Sequence, residues 1–91
     1  MSYEFIVTER YFKKLKKFAK KHPEILSQYA KTVALLEINP RHPSLRLHQL
    51  QGGLNDYHSV SINMSYRIVI DFIIKDNQII PIDIGTHNEV Y

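Results

Sequence analysis

The sequence predicts one α+β domain over residues 1–91, ordered β-α-α-β-β-β, with an antiparallel sheet that carries a two-helix hairpin on one face. Three observations predict it. Apolar residues recur at helical spacing as far as Asn39, a segment rich in Pro and Gly follows over 41–53, and apolar and polar residues then alternate as in strands. A chain of 91 residues can form only one hydrophobic core of modest size, so we expect no second domain within it.

The first half of the chain predicts a short strand and two helices. The β-rich run from Tyr3 to Val7 ends at Thr8, a suitable N-cap for the first helix. The apolar stripe of that helix is Phe12, Leu15, Phe18 and Ala19. Pro23 suits the first position of a second helix that ends at Asn39-Pro40, and its stripe is Leu26, Tyr29, Val33 and Leu36. The tight connection predicts that the two helices are antiparallel.

The second half predicts an ordered loop with few backbone pairings of its own over 41–53, then three strands. The predicted inward-facing residues are Val60, Ile62 and Met64 in the first strand, Ile68, Ile70, Phe72 and Ile74 in the second, and Ile80, Ile82 and Ile84 in the third. The opposite face then carries polar side chains, namely Tyr57, Ser59, Ser61, Arg67, Asp71 and Asp83. Continued past Gly85, the same register places His87 on that face.

Composition narrows the function classes. The chain has no cysteine, which excludes disulfides, thiol catalysis and thiolate zinc sites. The N-terminus lacks the features of a signal peptide, and no apolar run approaches the roughly 20 residues of a membrane span, so we expect a cytoplasmic protein without membrane contact. The net charge of +3 and a lysine-rich first helix favour an anionic partner, although a charge run is also typical of a solvated helix face.

The polar sheet face carries residue types suited to RNA cleavage by the 2′-hydroxyl, which needs a base, a positive group for the phosphate and an acid. Histidine, present at His87 and His48, suits the acid or base role because the unperturbed imidazole pKa of about 6.5 is near working pH, and the planar fork of Arg67 can bind two phosphate oxygens. The alternatives are a surface His87, a locally hydrogen-bonded His48 and an Arg67 that pairs across strands with an aspartate. The five histidines lack metal-ligand spacing, so we expect neither a metal nor another cofactor.

Several segments, taken in order, resemble the RelE toxin superfamily, especially its YafQ and YoeB branches. They are Leu50-Gln51-Gly52, Tyr57-His58-Ser59-Val60-Ser61-Ile62, Tyr66-Arg67-Ile68-Val69-Ile70 and Ile84-Gly85-Thr86-His87-Asn88-Glu89-Val90-Tyr91. The resemblance covers nearly the whole chain, because the lysine-rich helix pair precedes the sheet in that family too. It implies a RelE-like, microbial-RNase-type fold and a metal-independent endoribonuclease that cleaves mRNA, often at the ribosomal A site. It also implies a cognate antitoxin as partner, with DNA contacted only through the antitoxin complex.

The resemblance also implies roles for individual residues. His87 is similar to the C-terminal catalytic histidine that acts as general acid, Arg67 to the strand arginine that steadies the phosphate, and His48 to a loop histidine that is a candidate base. Tyr91 is similar to the terminal aromatic residue that stacks on or positions the nucleotide. Further substrate contacts are expected from Tyr57, Ser61, Lys13, Lys16 and Lys17.

The chain departs from both branches in its acid–base residues. Ser61 stands where YafQ-type toxins have a histidine, an aspartate of that branch falls near Ser65, and the loop glutamate and lysine of YoeB-type toxins fall near Ser44 and Leu47. These departures leave two alternatives open: a non-nucleolytic poison of DNA gyrase of the ParE type, or a degenerate member that binds only its antitoxin or RNA.

Overall fold

The computed structural model describes residues 2–50, 57–73 and 76–86 and confirms the predicted α+β class. Its helices and strands are β1 (Glu4–Phe5), α1 (Glu9–Lys21), α2 (Leu26–Ile38), β2 (His48–Gln49), β3 (His58–Ser61), β4 (Tyr66–Ile73) and β5 (Gln78–Thr86). Short 3₁₀ turns at Pro23–Ile25 and Pro43–Leu45 precede α2 and β2.

Helix α1 begins at the predicted N-cap. The Thr8 hydroxyl accepts a hydrogen bond from the backbone N–H of Tyr11 at 3.2 Å, which satisfies one of the unpaired amides of the first turn. The apolar stripe differs from the prediction at one position, since Tyr11 is 1% exposed whereas Phe12 is 49% exposed. The fold can bury Tyr11 because its hydroxyl has a hydrogen-bond partner, the Tyr29 hydroxyl in α2 at 3.0 Å. This hydrogen bond joins the two helices.

Helix α2 begins at Leu26, three residues after the predicted start at Pro23, because the intervening residues form a tighter 3₁₀ turn. It ends at Ile38, as predicted from Asn39-Pro40. Burial raises the pKa of Tyr11 and that of Tyr29, so both hydroxyls stay protonated at neutral pH and keep their hydrogen bond.

The sheet has the strand order β1-β5-β4-β3-β2 and is mixed rather than wholly antiparallel. Strands β3, β4 and β5 form the predicted antiparallel meander, whereas β1 pairs in parallel with the start of β5, with Phe5 opposite Ile79. Strand β2 pairs with β3 inside the segment predicted as an ordered loop with few backbone pairings of its own. A strand of two residues is too short to show a period in the sequence, which is why it was not predicted.

A β-bulge in β5 overturns part of the predicted strand parity. Val69 lies opposite Asp83 while Ile70 lies opposite Pro81, so Ile82 is the extra residue of the bulge. The inserted residue reverses the alternation, and the buried positions of β5 are Ile79, Pro81 and Ile84 instead of Ile80, Ile82 and Ile84. Ile82 packs with the residues of the opposite face.

The main core lies between the helices and one face of the sheet. Its best-buried members come from both helices, the loop before β2 and the three long strands: Tyr11, Phe18, Leu36, Leu45, Val60, Ile68, Ile70 and Ile79. One sheet face is thus filled by the core, and the predicted polar residues lie on the other face.

Candidate functional site

The face of the sheet that points away from the helices, called the open face below, presents the predicted polar residues in neighbouring rows. His48 lies opposite Ser59, which in turn lies opposite Val69. The next row along the strands is Ser61, Arg67 and Gly85. Directly opposed residues project to the same side of a sheet, so His48, Ser59, Ser61 and Arg67 share the open face. The predicted parity is therefore confirmed for β3 as far as Ser61 and for this part of β4, whereas Met64, which was predicted to face inward, lies beyond β3 and is 82% exposed.

Arg67 lies near the start of β4, the middle strand of the sheet, and two of its guanidinium nitrogens have no partner among the described residues. Its Nε and Nη1 atoms are shielded from solvent and have no hydrogen-bond partner among the described residues. The alternative prediction was that Arg67 pairs across strands with Asp71 or Asp83. The described residues show no such pair, and Asp83 instead lies 3.6 Å from the Lys14 ammonium. Buried N–H donors without acceptors are costly, and a charged donor fork of this kind fits an anion with several oxygens.

The two serines of the open face differ in their partners. The Ser59 hydroxyl is fully buried and, within the described part of the chain, has no hydrogen-bond partner. The Ser61 hydroxyl donates to the Asn63 carbonyl at 2.6 Å and so supports the turn between β3 and β4. Of the two, Ser61, the predicted substrate contact, is thus already engaged by the fold.

His48 is exposed and its ring is oriented by the backbone. Nδ1 lies 3.1 Å from the Arg46 carbonyl, and a carbonyl oxygen can only accept, so the neutral ring carries its proton on Nδ1. Nε2 is then the basic nitrogen, as a general base requires. His48 lies two strands and two residues from Arg67, which corresponds to a Cα separation of about 12 Å. A nucleotide between the two side chains could contact both.

Three other histidines have structural contacts. The His42 Nδ1 accepts from the backbone N–H of Ser44 at 3.2 Å and caps a 3₁₀ turn. His22 ends α1 and meets the Tyr66 hydroxyl at 3.1 Å. His58 points toward the core side of the sheet, and burial, followed by the charge on Arg41, lowers its pKa.

Tyr57 joins a small apolar cluster on the open face. It packs with Leu50, Val69 and Ile82, and it is half-buried. This contact keeps the ring at the open face, as predicted, and leaves part of it exposed for a base to stack on.

The three predicted lysine contacts divide into two groups. Lys13, Lys16 and Lys17 are all exposed, but only Lys17 faces the sheet. It lines a groove of about 570 Å³ between α1 and the end of β5, which also contains Lys20, Lys21, His22 and Gly85. We call it the α1–β5 groove. The groove could not be predicted from the sequence, because helical periodicity does not determine which of the α1 lysines lie beside the edge of β5.

The architecture matches solved structures of bacterial toxins. YafQ from Escherichia coli strain BL21(DE3) superposes with a TM-score of 0.78 at 16% identity, over 98% of both chains. A YoeB/ParE toxin from Agrobacterium tumefaciens gives a TM-score of 0.72 at 13% identity, over 92% of this chain and 98% of that one. The toxin–antitoxin complex RelBE2 from Mycobacterium tuberculosis gives a TM-score of 0.67 at 17% identity, over 96% of this chain and 100% of that chain. The chain has the fold of the RelE-type toxins.

The RelE-type fold was expected from the ordered segments that end in the C-terminal histidine and tyrosine. No protein-family model and no curated protein sequence matches the chain, so the relationship is visible in the fold alone. The candidate acid His87 and the candidate stacking residue Tyr91 lie outside the described residues. The last described row before them contains Gly85, opposite Arg67.

Two further findings concern the described part of the chain. Residues 2–50, 57–73 and 76–86 contain no group of three or more histidine, aspartate or glutamate side chains that could hold a metal ion. Neither α1 nor α2, the helices described there, is long and apolar enough to cross a bilayer.

Proposed function

We propose that this chain is the toxin of a toxin–antitoxin pair and that it cleaves mRNA, without a metal, at the ribosomal A site. The observation that carries the proposal is the Arg67 guanidinium on the open face, whose Nε and Nη1 are shielded from solvent and have no partner among the described residues. A phosphodiester would supply the acceptors that its Nε and Nη1 lack, and the charge would be neutralised in the same step.

The proposed reaction is attack of a ribose 2′-hydroxyl on the adjacent phosphorus. His48 takes the hydroxyl proton at Nε2, the nitrogen left basic by the contact between Nδ1 and the Arg46 carbonyl. Arg67 holds the phosphate oxygens as negative charge grows on them. His87 gives a proton to the departing 5′-oxygen. The O–P bond to the 2′-oxygen forms, the bond to the 5′-oxygen breaks, and the products are a 2′,3′-cyclic phosphate and a 5′-hydroxyl.

The remaining predicted contacts would hold the nucleotides on either side of the cut. Tyr57 and Tyr91 would stack on bases, the former from the half-buried position that Leu50 and Val69 support. Ser61 would act through the turn it stabilises rather than through its hydroxyl, which is bonded to the Asn63 carbonyl. Lys13, Lys16 and Lys17 would add sequence-independent attraction to mRNA or ribosomal RNA.

The proposed protein partner is a cognate antitoxin, encountered in the cytoplasm. The support is the fold shared with RelBE2, whose structure is a toxin–antitoxin complex. DNA would be contacted only by way of the antitoxin in such a complex.

The test is induced expression in bacteria of the wild-type chain, Arg67→Ala, His87→Ala and the control Arg10→Ala. Arg10 is exposed in the first turn of α1 and is not among the proposed site residues, so its loss removes one guanidinium but no proposed contact. Growth is followed, and the 5′-ends of messages are mapped by primer extension. We expect growth arrest with new cuts for the wild type and the control, and neither in the two site variants. Wild-type cutting by both site variants would refute the assignment.

A second candidate is a toxin that binds without cutting, either a gyrase poison or a degenerate member that only occupies its antitoxin. One observation favours it: the Ser61 hydroxyl, at a position where a further acid–base group was expected, is bonded to the backbone. This candidate predicts that His87→Ala still arrests growth and that no new message ends are seen. Inhibition of gyrase supercoiling by the purified chain would then identify the gyrase poison.

A further inference from the structure

The α1–β5 groove runs along the part of β5 that no other strand of the described residues covers. Strand β1 pairs only with the start of β5, at Gln78 and Ile79. From Asp83 to Gly85 the outer edge of β5 instead faces the C-terminal half of α1, and these residues form one wall of the groove. Gly85 is also the residue opposite Arg67, so the groove opens next to the proposed phosphate site.

The backbone of this edge is closed to an added β-strand by two side chains. The outward N–H of Ile84 donates to the carboxylate of Asp83 at 2.8 Å, and the Lys14 ammonium donates to the Ile82 carbonyl at 3.5 Å. Lys14 and Asp83 also form an ion pair at 3.6 Å. Because these two backbone groups already have partners, an added strand could not pair with them, and the proposal below rests on the side chains of the groove.

Those side chains are cationic and aromatic. Lys17, Lys20 and Lys21 are exposed, and no ion pair holds any of them among the described residues. The floor contains Phe18 and the ring of His22, whose centroids are 5.0 Å apart. Tyr66 contacts both rings, at 5.4 Å and 4.8 Å, and its hydroxyl fixes the His22 ring through Nδ1. An oriented ring beside unpaired ammonium groups is the combination that binds single-stranded nucleic acid.

We propose that the α1–β5 groove is a second RNA subsite, which holds the strand adjacent to the phosphate bound by Arg67. Lys17, Lys20 and Lys21 contact consecutive phosphates, and one unstacked base lies on the His22 ring. The inference rests on the proposed ribonuclease function for the direction of the strand. It goes beyond that function in naming an extended single strand, rather than a dinucleotide, as the substrate.

Binding is measured separately from cleavage by using 2′-O-methyl oligoribonucleotides, which have no 2′-hydroxyl to attack. Fluorescence anisotropy gives the affinity of the purified full chain for labelled oligomers of four and twelve nucleotides over a range of salt. The double variant Lys17→Gln/Lys21→Gln is compared with the matched control Arg10→Gln/Lys31→Gln, which removes the same charge from exposed positions outside the groove.

We expect the groove variant to bind the twelve-nucleotide oligomer about 25-fold more weakly at 0.1 M salt, because each lost phosphate contact on a single strand lowers the salt slope by about 0.7. The affinity of the control for the same oligomer should fall by less than about threefold. The two variants should bind the four-nucleotide oligomer with similar affinity. His22→Ala should weaken binding of the longer oligomer about tenfold, and His22→Phe, which keeps an aromatic ring, should restore most of it. Thermal unfolding of each variant shows that the fold is retained.

Equal losses in the groove variant and the control would overturn the proposal, since general charge would then explain the binding. Unchanged RNA affinity together with loss of binding to a polyglutamate peptide would also overturn it and assign the groove to an acidic protein partner. The two proposals fail separately. If the chain binds the 2′-O-methyl oligomer tightly but cuts no message, the ribonuclease proposal is refuted and the subsite proposal stands. If the groove variant cuts message as the wild type does, the subsite proposal is refuted and the ribonuclease proposal stands.

Discussion

Arg67→Met should make the unbound chain more stable while removing its function. In the folded chain Nε and Nη1 of Arg67 are shielded and have no hydrogen-bond partner among the described residues, whereas water solvates them in the unfolded chain. Leaving a buried donor unsatisfied costs about 1–3 kcal/mol. The side chain as a whole is only half-buried, so we take the lower end, about 1 kcal/mol. Methionine keeps much of the apolar stem and has no N–H group.

A gain of about 1 kcal/mol raises the Tm of a domain of this size by about 4–8 °C. The assay is thermal unfolding of purified wild type, Arg67→Met and Arg10→Met by circular dichroism, without RNA. Arg10 is exposed, and its substitution should change stability by less than about 0.5 kcal/mol. Adding the four-nucleotide 2′-O-methyl oligoribonucleotide, which is too short to reach the α1–β5 groove, should then raise the Tm of the wild type and leave that of Arg67→Met nearly unchanged, since only a chain that binds the ligand gains stability from it. A lower Tm for Arg67→Met would show that the guanidinium stabilises the unbound fold, and the reasoning would be refuted.

Two further predictions concern the stability of the core. Because burial lowers the pKa of His58 in the folded chain, the unfolded chain binds the proton more readily, so stability should fall as pH decreases through the unfolded pKa of about 6.5 toward the folded value. His58→Gln should flatten this part of a Tm–pH profile measured from pH 7.5 to 5, and an equally steep profile would contradict the assignment. Leu36→Ala removes a side chain that is 0% exposed and should cost about 2–5 kcal/mol in urea unfolding, whereas Ile38→Ala, at a residue 71% exposed, should cost less than about 0.5 kcal/mol. Similar losses from both would place the core elsewhere.

The parts of the fold that sequence patterns predicted are those with a repeated local period. The helices show one, and the cap at Thr8 and the end at Asn39 followed from single residues with strong local preferences. Strands β3 and β4 alternate regularly, so the shared face of Ser59, Ser61 and Arg67 could be predicted. Strand β2 is two residues long and has no period, and the parallel partner of β1 is decided by contacts far apart in the sequence.

The candidate site was predictable in its residue types and less so in its geometry. Parity alone brought Arg67 and the serines to one face, but it could not show that the Arg67 donors lack partners or that the Ser61 hydroxyl is bonded to a carbonyl. His48 joins that face only because β2 pairs with β3 in a register that sets it opposite Ser59. Hydrogen bonding and burial depend on which atoms meet, and a pattern of residue types does not contain that information.

By itself, the sequence determined the helices, the meander and the polar face, because each follows from local preferences and from periods of 3.6 and 2 that neighbouring residues repeat. The tertiary structure decided how these elements meet. The bulge at Ile82 reversed the predicted parity of β5 on the N-terminal side of Ile82, and the packing of α1 beside an edge of β5 that no other described strand covers selected Lys17 over Lys13 and Lys16 for the groove. Such outcomes depend on contacts between distant segments, which form only when the whole chain minimises its exposed apolar surface and its unpaired polar groups.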